Sequence, residues 1–365
     1  MSGAEDNEPR VLRWQGPHPL PEIPNKNFEV FMLEEMVRHG DAVALIDAET
    51  RQQRTYSEMC DLVPRLSAGL AAAGVGAGDR VIYYSHNHID YPLWLLAFMH
   101  RGAAFVRPSP TYENTKDDLV HCTRLVGAQW AVIHVDLLST AEAAFSLLPP
   151  DTLKKIWVIG GAAGTSAIDD LAAHDPLPPV NQNDDVDPAS TVCQIPFSSG
   201  TTGLRKGVMT SHRSEVSRMM MIKHLVNHKQ WLGQPEDYST CMLVTSLSHT
   251  YAHVFLFATL MLGGTSVIAH HSDNLLEMIN EHKVTLSVLL PYHHKMIINT
   301  AASHDSKPTS LKAVTTAAAP LAASVAEAFR QNVRADLSCI LSITTNFNLR
   351  QRNSSVRFLV TYEHA

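Results

Sequence analysis

Ser198-Ser199-Gly200-Thr201-Thr202-Gly203-Leu204-Arg205-Lys206-Gly207 is a hydroxyl-rich loop punctuated by glycines and carrying a lysine. Gly200, Gly203 and Gly207 let the backbone turn its N–H groups inward without Cβ interference. The hydroxyls of Ser198, Ser199, Thr201 and Thr202 add donors or a metal ligand, and Lys206 adds a point charge for phosphate oxygens. This is the composition of a phosphate cradle, and a nucleoside triphosphate is the expected ligand. A Walker A loop needs glycine, four residues, then Gly-Lys-Ser/Thr. Here Arg205 stands where that second glycine belongs and Gly207 follows Lys206, so the ordinary P-loop is excluded.

Outward from the loop, strand-like and helix-like stretches alternate. Upstream, Val43–Ile46 reads as a strand, and Met59, Leu62, Leu66, Leu70 and Ala73 keep helical spacing through Tyr56–Ala73. Arg80–Tyr84, Ala131–Val135 and Ile156–Ile159 are aromatic or β-branched runs, with an apolar Trp94–His100 between the first two. Thr191–Phe197 reads as a strand entering the loop, and Arg213 onward as a helix leaving it, the setting in which a helix N-terminus captures an anion. Repeated βα alternation predicts an α/β fold, mostly parallel sheets flanked by helices. The Pro- and Asn/Asp-rich stretch Leu177–Asp187 is the expected connection between a first subdomain, residues 1–190, and a second, residues 191–335.

The chain has 365 residues, 45% hydrophobic and 18% charged, ordinary globular usage that argues against wholesale disorder. Its net charge of -7 gives no electrostatic case for nucleic acid or an anionic membrane. Met1–Pro9 has no apolar core of a secretory signal, so the cytoplasm is the expected compartment. Val254–Ile268, the longest apolar stretch, is interrupted by Thr259 and Gly263-Gly264 and falls short of the roughly 20 residues that span a bilayer. The five cysteines, Cys60, Cys122, Cys193, Cys241 and Cys339, are scattered without a Cys-x-x-Cys pair, which favours reduced thiols.

The 198–207 segment resembles the signature of adenylate-forming enzymes (acyl-CoA synthetases, 4-coumarate-CoA ligases, luciferases), approximately Ser-Ser-Gly-Thr-Thr-Gly-Leu-Pro-Lys-Gly-Val, with Arg205 in place of proline. Arg54–Glu58, Gly78–Val81 and Arg101–Val106 look like early core segments of that family, and Leu247–His253 resembles its histidine and aromatic motif, with Ser246 where proline is usual. Thr316–Leu321 resembles its adenine-pocket segment, with Ala317 at a position often held by glycine. The likeness is expected to stop near residue 335. Neither Tyr-Gly-x-Thr-Glu nor the later aspartate, arginine and small C-terminal domain has a counterpart, and Gly264 is the last glycine. Residues 336–365 are therefore expected to be a divergent tail, and the fold to be an incomplete large N-terminal domain of the adenylate-forming fold.

The resemblance implies ATP-dependent activation of a small carboxylic acid to acyl-AMP and then acyl-CoA, with ATP, Mg2+ and coenzyme A taking part. Ser198, Ser199, Gly200, Thr201, Thr202, Gly203, Lys206 and Gly207 would hold the phosphates, with Thr201 and Thr202 as magnesium ligands. Ala317, Ala318, Ala319 and Pro320 would line the adenine pocket, and His249 and Tyr251 would face the acid. Lys206 and His249 are the catalytic candidates. The missing motifs lead to the expectation that this polypeptide is inactive alone, the alternative being a noncatalytic nucleotide-binding or interaction protein of the same fold. A peroxisomal address is expected only for a longer relative, because Tyr362–Ala365 is not Ser-Lys-Leu-like. His249 and His253 stand four apart, but no glutamate or third ligand accompanies them, and a zinc reading is set aside. His86 with His88, His270 with His271, and His293 with His294 read as scattered polar residues.

Overall fold

A computed structural model of the chain describes residues 18–110, 115–161, 167–179, 187–198, 204–228, 238–304, 308–317, 319, 321–333 and 336–339. Its elements run α1 (Phe28–Met36), β1 (Val43–Asp47), β2 (Gln53–Thr55), α2 (Tyr56–Ala72), β3 (Arg80–Tyr84), α3 (Tyr91–His100), β4 (Ala104–Arg107), α4 (Thr115–Val126), β5 (Trp130–His134), α5 (Leu138–Phe145), β6 (Lys155–Ile159) and α6 (Ala167–Ala172). They continue with β7 (Val192–Ser198), β8 (Lys206–Gly207), β9 (Thr210–Ser211), α7 (His212–Asn227), β10 (Thr240–Leu243), α8 (Thr250–Leu262), β11 (Thr265–Ile268), α9 (Leu275–Glu281), β12 (Leu286–Leu289), α10 (Pro291–His304), β13 (Ala313–Thr316), α11 (Ala323–Val333) and β14 (Asp336–Cys339).

The strands form two sheets, one ordered β14-β13-β12-β10-β11-β1-β2 and the other β6-β5-β3-β4-β7-β8, with β9 also on β7. All neighbours are parallel except β2 on β1 and β8 and β9 on β7. Side chains alternate across each strand, so each sheet feeds two cores. Val81 and Tyr83 face a central core shared by both sheets and by α1, α2, α3 and α8, whereas Ile82 and Tyr84 face an outer core with α4 and α5. On the other sheet, Leu286 and Val288 point to the centre, and Leu289 and Val314 to α9, α10 and α11. The layers therefore run helix, sheet, helix, sheet, helix. The middle layer explains why α3 is apolar around its whole circumference: every one of its residues is buried.

Local sequence chemistry sets the boundaries. Thr55 caps α2 by accepting from the Glu58 N–H, and Glu58 accepts in turn from the Thr55 N–H, a reciprocal capping box. The long apolar run splits into α8 and β11 because Gly263 takes a left-handed φ of 83° at the helix end. A Cβ on the adjoining Gly264 would sit 1.9 Å from the Tyr238 carbonyl oxygen. Among the described residues no helix is long and apolar enough to cross a membrane. Cys60, Cys122, Cys193 and Cys241 carry free thiols.

Sheet membership does not follow chain order: β1 and β2 join the sheet of β10–β14, and β7 joins the sheet of β3–β6. Chain order cannot reveal this, because a parallel sheet is assembled from distant segments. Residues 336–339 form β14, parallel to β13 with Ala313 beside Asp336.

Burial makes the folded protein acid-sensitive. Desolvation lowers His100, bonded to Ser67 Oγ at 2.9 Å, and His293 from 6.5 to about 4. Both are neutral when folded, whereas in the unfolded chain they take up protons below about pH 6.5. Their contribution is complete above that value and is lost as pH falls toward 4, on the order of 1–2 kcal/mol each at pH 5. Urea titrations should show a lower unfolding midpoint at pH 5 than at pH 7.5, and His100→Gln should shrink that difference.

Candidate functional site

The candidate residues follow the C-terminal ends of three strands, β7 in one sheet and β10 and β13 in the other. Ser198 ends β7, the 244–249 segment follows β10, and Ala317 follows β13. In open α/β sheets this rim is where ligands bind.

At the first strand end, the loop leaves β7 and returns as β8, with Ser198 beside Lys206 and Phe197 beside Gly207 in antiparallel register. Ser198 Oγ donates to the Lys206 carbonyl at 3.4 Å. The loop is thus the tip of a hairpin, and α7 starts only at His212, after β9. The sequence placed the loop between a strand and a helix; in the structure β8 and β9 stand between it and α7. A Cβ on Gly207 would meet Ile195 Cγ2 at 2.9 Å, which accounts for glycine there. Lys206 is exposed. Ser199, Gly200, Thr201, Thr202 and Gly203 lie outside the described residues, as do Ala318 and Pro320.

Arg205 gains a role the sequence reading missed. Its buried guanidinium pairs with Asp118 Oδ2 on α4 at 3.0 Å, and its carbonyl is bonded to His121 Nε2 at 2.9 Å. A proline at this position would restrict φ covalently; here an ion pair and a carbonyl hydrogen bond anchor the residue beside Lys206.

His249 is the residue preceding α8, with extended φ −86° and ψ 140°, so it does not share a helical face with His253. His253 is wholly buried, with Nδ1 at 2.9 Å from the Tyr91 hydroxyl and Nε2 at 3.4 Å from Gln194 Nε2. The His249 pKa is lowered by burial, then by the charges of Arg107 and Arg205. That coupling brings His249 and Arg205, at the base of the 198–207 loop, into one electrostatic field. Tyr251 OH is 2.7 Å from Thr315 Oγ1 on β13, linking the histidine segment to the strand that leads into Ala317. Ala317 is buried and its φ is not positive, so the alanine introduces no left-handed backbone strain. Ala319 is exposed.

Two further residues position this rim. Asn87, after β3, donates through Nδ2 to the carbonyls of Thr245 at 3.1 Å and Ala269 at 3.0 Å, and its Oδ1 accepts from the Leu247 N–H at 2.8 Å. Arg107, ending β4 and 1% exposed, donates through Nη1 to the Leu247 and Ser248 carbonyls at 3.1 and 3.4 Å. A buried Asn or Arg carries no periodicity; the only sequence hint was a polar residue at the end of an apolar strand. Thr245 Oγ1 and Thr316 Oγ1 are buried here without a hydrogen-bond partner.

The Arg205–Asp118 pair generates a direct test. Asp118→Asn removes the countercharge of a largely buried guanidinium and should destabilise the protein by about 1–3 kcal/mol, read from urea unfolding. Wild-type stability in the variant would deny the pair its anchoring role.

Comparison with known proteins bears on the same region. The model of the AMP-binding enzyme family matches residues 33–341, which takes in β14. A 4-coumarate–CoA ligase 3 of Oryza sativa subsp. japonica is 28% identical over 320 residues, covering 86% of this chain and 56% of the relative. A peroxisomal OPC-8:0-CoA ligase 1 of Arabidopsis thaliana is 25% identical over 318 residues, covering 86% and 56%. The chain spans about half the length of the curated relatives it matches. The crystal structure of a long-chain-fatty-acid-CoA ligase from Archaeoglobus fulgidus superposes with a TM-score of 0.77 at 21% identity, covering 92% of this chain and 67% of that one. The luciferase-like enzyme of the nonluminescent Zophobas morio mealworm gives 0.73 at 21% identity, covering 90% and 75%.

Proposed function

The chain belongs to the AMP-binding enzyme family, and from that premise we propose that it binds Mg-ATP and a small carboxylic acid and joins them as an acyl adenylate, with coenzyme A as acceptor of the acyl group in a second step. The observation that supports this reading is that the charges of Arg107 and Arg205 both act on His249, so the histidine proposed to face the acid is within electrostatic reach of the base of the loop proposed to hold the phosphates.

In the proposed reaction a carboxylate oxygen attacks the α-phosphorus of ATP. The new P–O bond forms as the bond to pyrophosphate breaks, and pyrophosphate leaves with the electron pair. Negative charge spreads over the phosphoryl oxygens, where prearranged N–H groups and a lysine stabilise it. Lys206 is the residue assigned to that charge. His249, held toward its neutral form by burial and two arginines, can hydrogen-bond the incoming carboxylate without pairing with it as a cation. Tyr251 supplies an aromatic wall. Thr201 and Thr202 are the residues proposed to hold Mg2+, which when bound neutralises phosphate charge.

ATP–pyrophosphate exchange over a panel of carboxylic acids tests the reading against the sequence-based expectation that this polypeptide is inactive alone: acid-dependent exchange supports the proposed reaction in this chain, whereas nucleotide binding without exchange for any acid favours a noncatalytic nucleotide-binding protein. Lys206→Ala should weaken Mg-ATP binding about tenfold, the loss of a charge-assisted contact worth about 1–3 kcal/mol. Equal affinity by calorimetry would remove Lys206 from the site. His249→Ala should raise KM for the acid in the exchange assay while leaving Mg-ATP affinity within about twofold, the signature of lost substrate binding.

A further inference from the structure

Asp47 ends β1, Glu49 lies in the turn to β2, and His270 follows β11, the parallel neighbour of β1 in whose register Asp47 stands beside Ile268. The three side chains belong to adjacent strand ends and meet because the sheet is built, not because they are near in sequence. Each offers one ligand atom, and these atoms all lie within 4.8 Å of one another.

The hydrogen bonds around them orient the donors. Asp47 Oδ1 accepts from the N–H groups of Glu49 at 3.2 Å and Thr50 at 2.8 Å, which leaves Oδ2 toward His270 Nε2 at 2.7 Å. Glu49 Oε1 accepts from the N–H groups of His270 at 2.8 Å and His271 at 3.1 Å, so the Glu49 carboxylate is drawn across to the β11 end. Hydrogen-bonded ligating carboxylates are the usual outer arrangement of a built metal site. Asp47 is buried, His270 is half-buried and Glu49 is exposed, so an ion can approach from the Glu49 side.

We propose that Asp47, Glu49 and His270 form a binding site for one divalent first-row transition metal ion of the zinc type, completed by water. Two carboxylates and one imidazole make a mixed oxygen and nitrogen set, which suits Zn2+, Co2+ or Mn2+ better than a thiolate-seeking or an all-oxygen ion. Ligand bonds of about 2.0–2.2 Å require the three donors to draw closer, and the exposed Glu49 side chain can swing to do so. His88 stands beside the group, its ring centroid 6.3 Å from that of His270, and His86 and His134 stand behind it, each 5.9 Å or less from a neighbouring ring. Burial lowers the pKa of all three, so these imidazoles are biased toward the neutral form and add little repulsion to a bound cation.

The competing arrangement is a plain Asp47–His270 ion pair. Burial would raise the Asp47 pKa, but the hydrogen bond and charge of His270 and the Thr50 N–H bring it to about 2, while the bond to Asp47 raises His270. Such a pair needs no Glu49 side chain; a metal site does. After chelation, the full chain is titrated with Zn2+ by calorimetry at pH 7.5 and with Co2+ by visible absorption. One saturable site per chain is expected, weakened at least tenfold by His270→Gln and by Glu49→Gln. The double variant His224→Gln/His228→Gln should bind as wild type, although its rings stand 4.4 Å apart on α7. Circular dichroism confirms folding, and the exposed Glu49 provides the decisive variant if His270→Gln does not fold. No saturable binding, Glu49→Gln with wild-type affinity, or binding lost with His224 and His228 would each overturn the site.

Discussion

Two buried side chains, Asn87 and Arg107, hold the segment that follows β10 against the other sheet. Both rise from the ends of strands in the β3–β7 sheet, and their partners are main-chain groups of Thr245, Leu247, Ser248 and Ala269 in the second. Backbone groups at strand ends have no ladder partner, and burying them unpaired is costly. Asn87 satisfies three of them at once. These bonds help fix the segment that leads into His249 against the β3–β7 sheet, from which the 198–207 loop also leaves.

The same logic governs the loop itself. Its stems are paired in antiparallel register, and Arg205 is tied to α4 through Asp118 and His121, so the loop is supported on both flanks by the β3–β7 sheet and its outer helix. Lys206 is exposed while its neighbour is anchored. Preorganised charge needs such an arrangement, because a lysine on an untethered loop would spend its interaction energy on ordering the chain.

The central core imposes a second constraint. Tyr91, Gln194, His253, Glu215 and Arg218 form a buried polar chain between the sheets, with Arg218 donating to both oxygens of Glu215 at 2.8 and 2.9 Å. His253 is pushed well below its ordinary pKa by burial and by Arg107 and Arg218. Partly satisfied networks of this sort are sensitive to any change of charge, and this one includes His253 of α8, the helix that follows His249.

Helix and strand existence was legible in the sequence wherever one local rule sufficed: the spacing of Met59, Leu62, Leu66 and Leu70, the β-branched run Arg80–Tyr84, and the Gly263-Gly264 break all correspond to described elements. The loop's composition and its likeness to a known signature also named Lys206 as a candidate, and the likeness of Leu247–His253 to a second motif named His249 and Tyr251. Tertiary structure alone decided which strands share a sheet, since β1 lies beside β11 across a long stretch of chain and no local pattern encodes that choice. It alone turned Arg205 from a departure into an anchor, put Asn87 and Arg107 in charge of the rim, and gathered Asp47, Glu49 and His270. Periodicity records which face of an element is apolar, but a polar side chain acquires its meaning from partners that only the closed chain brings within reach.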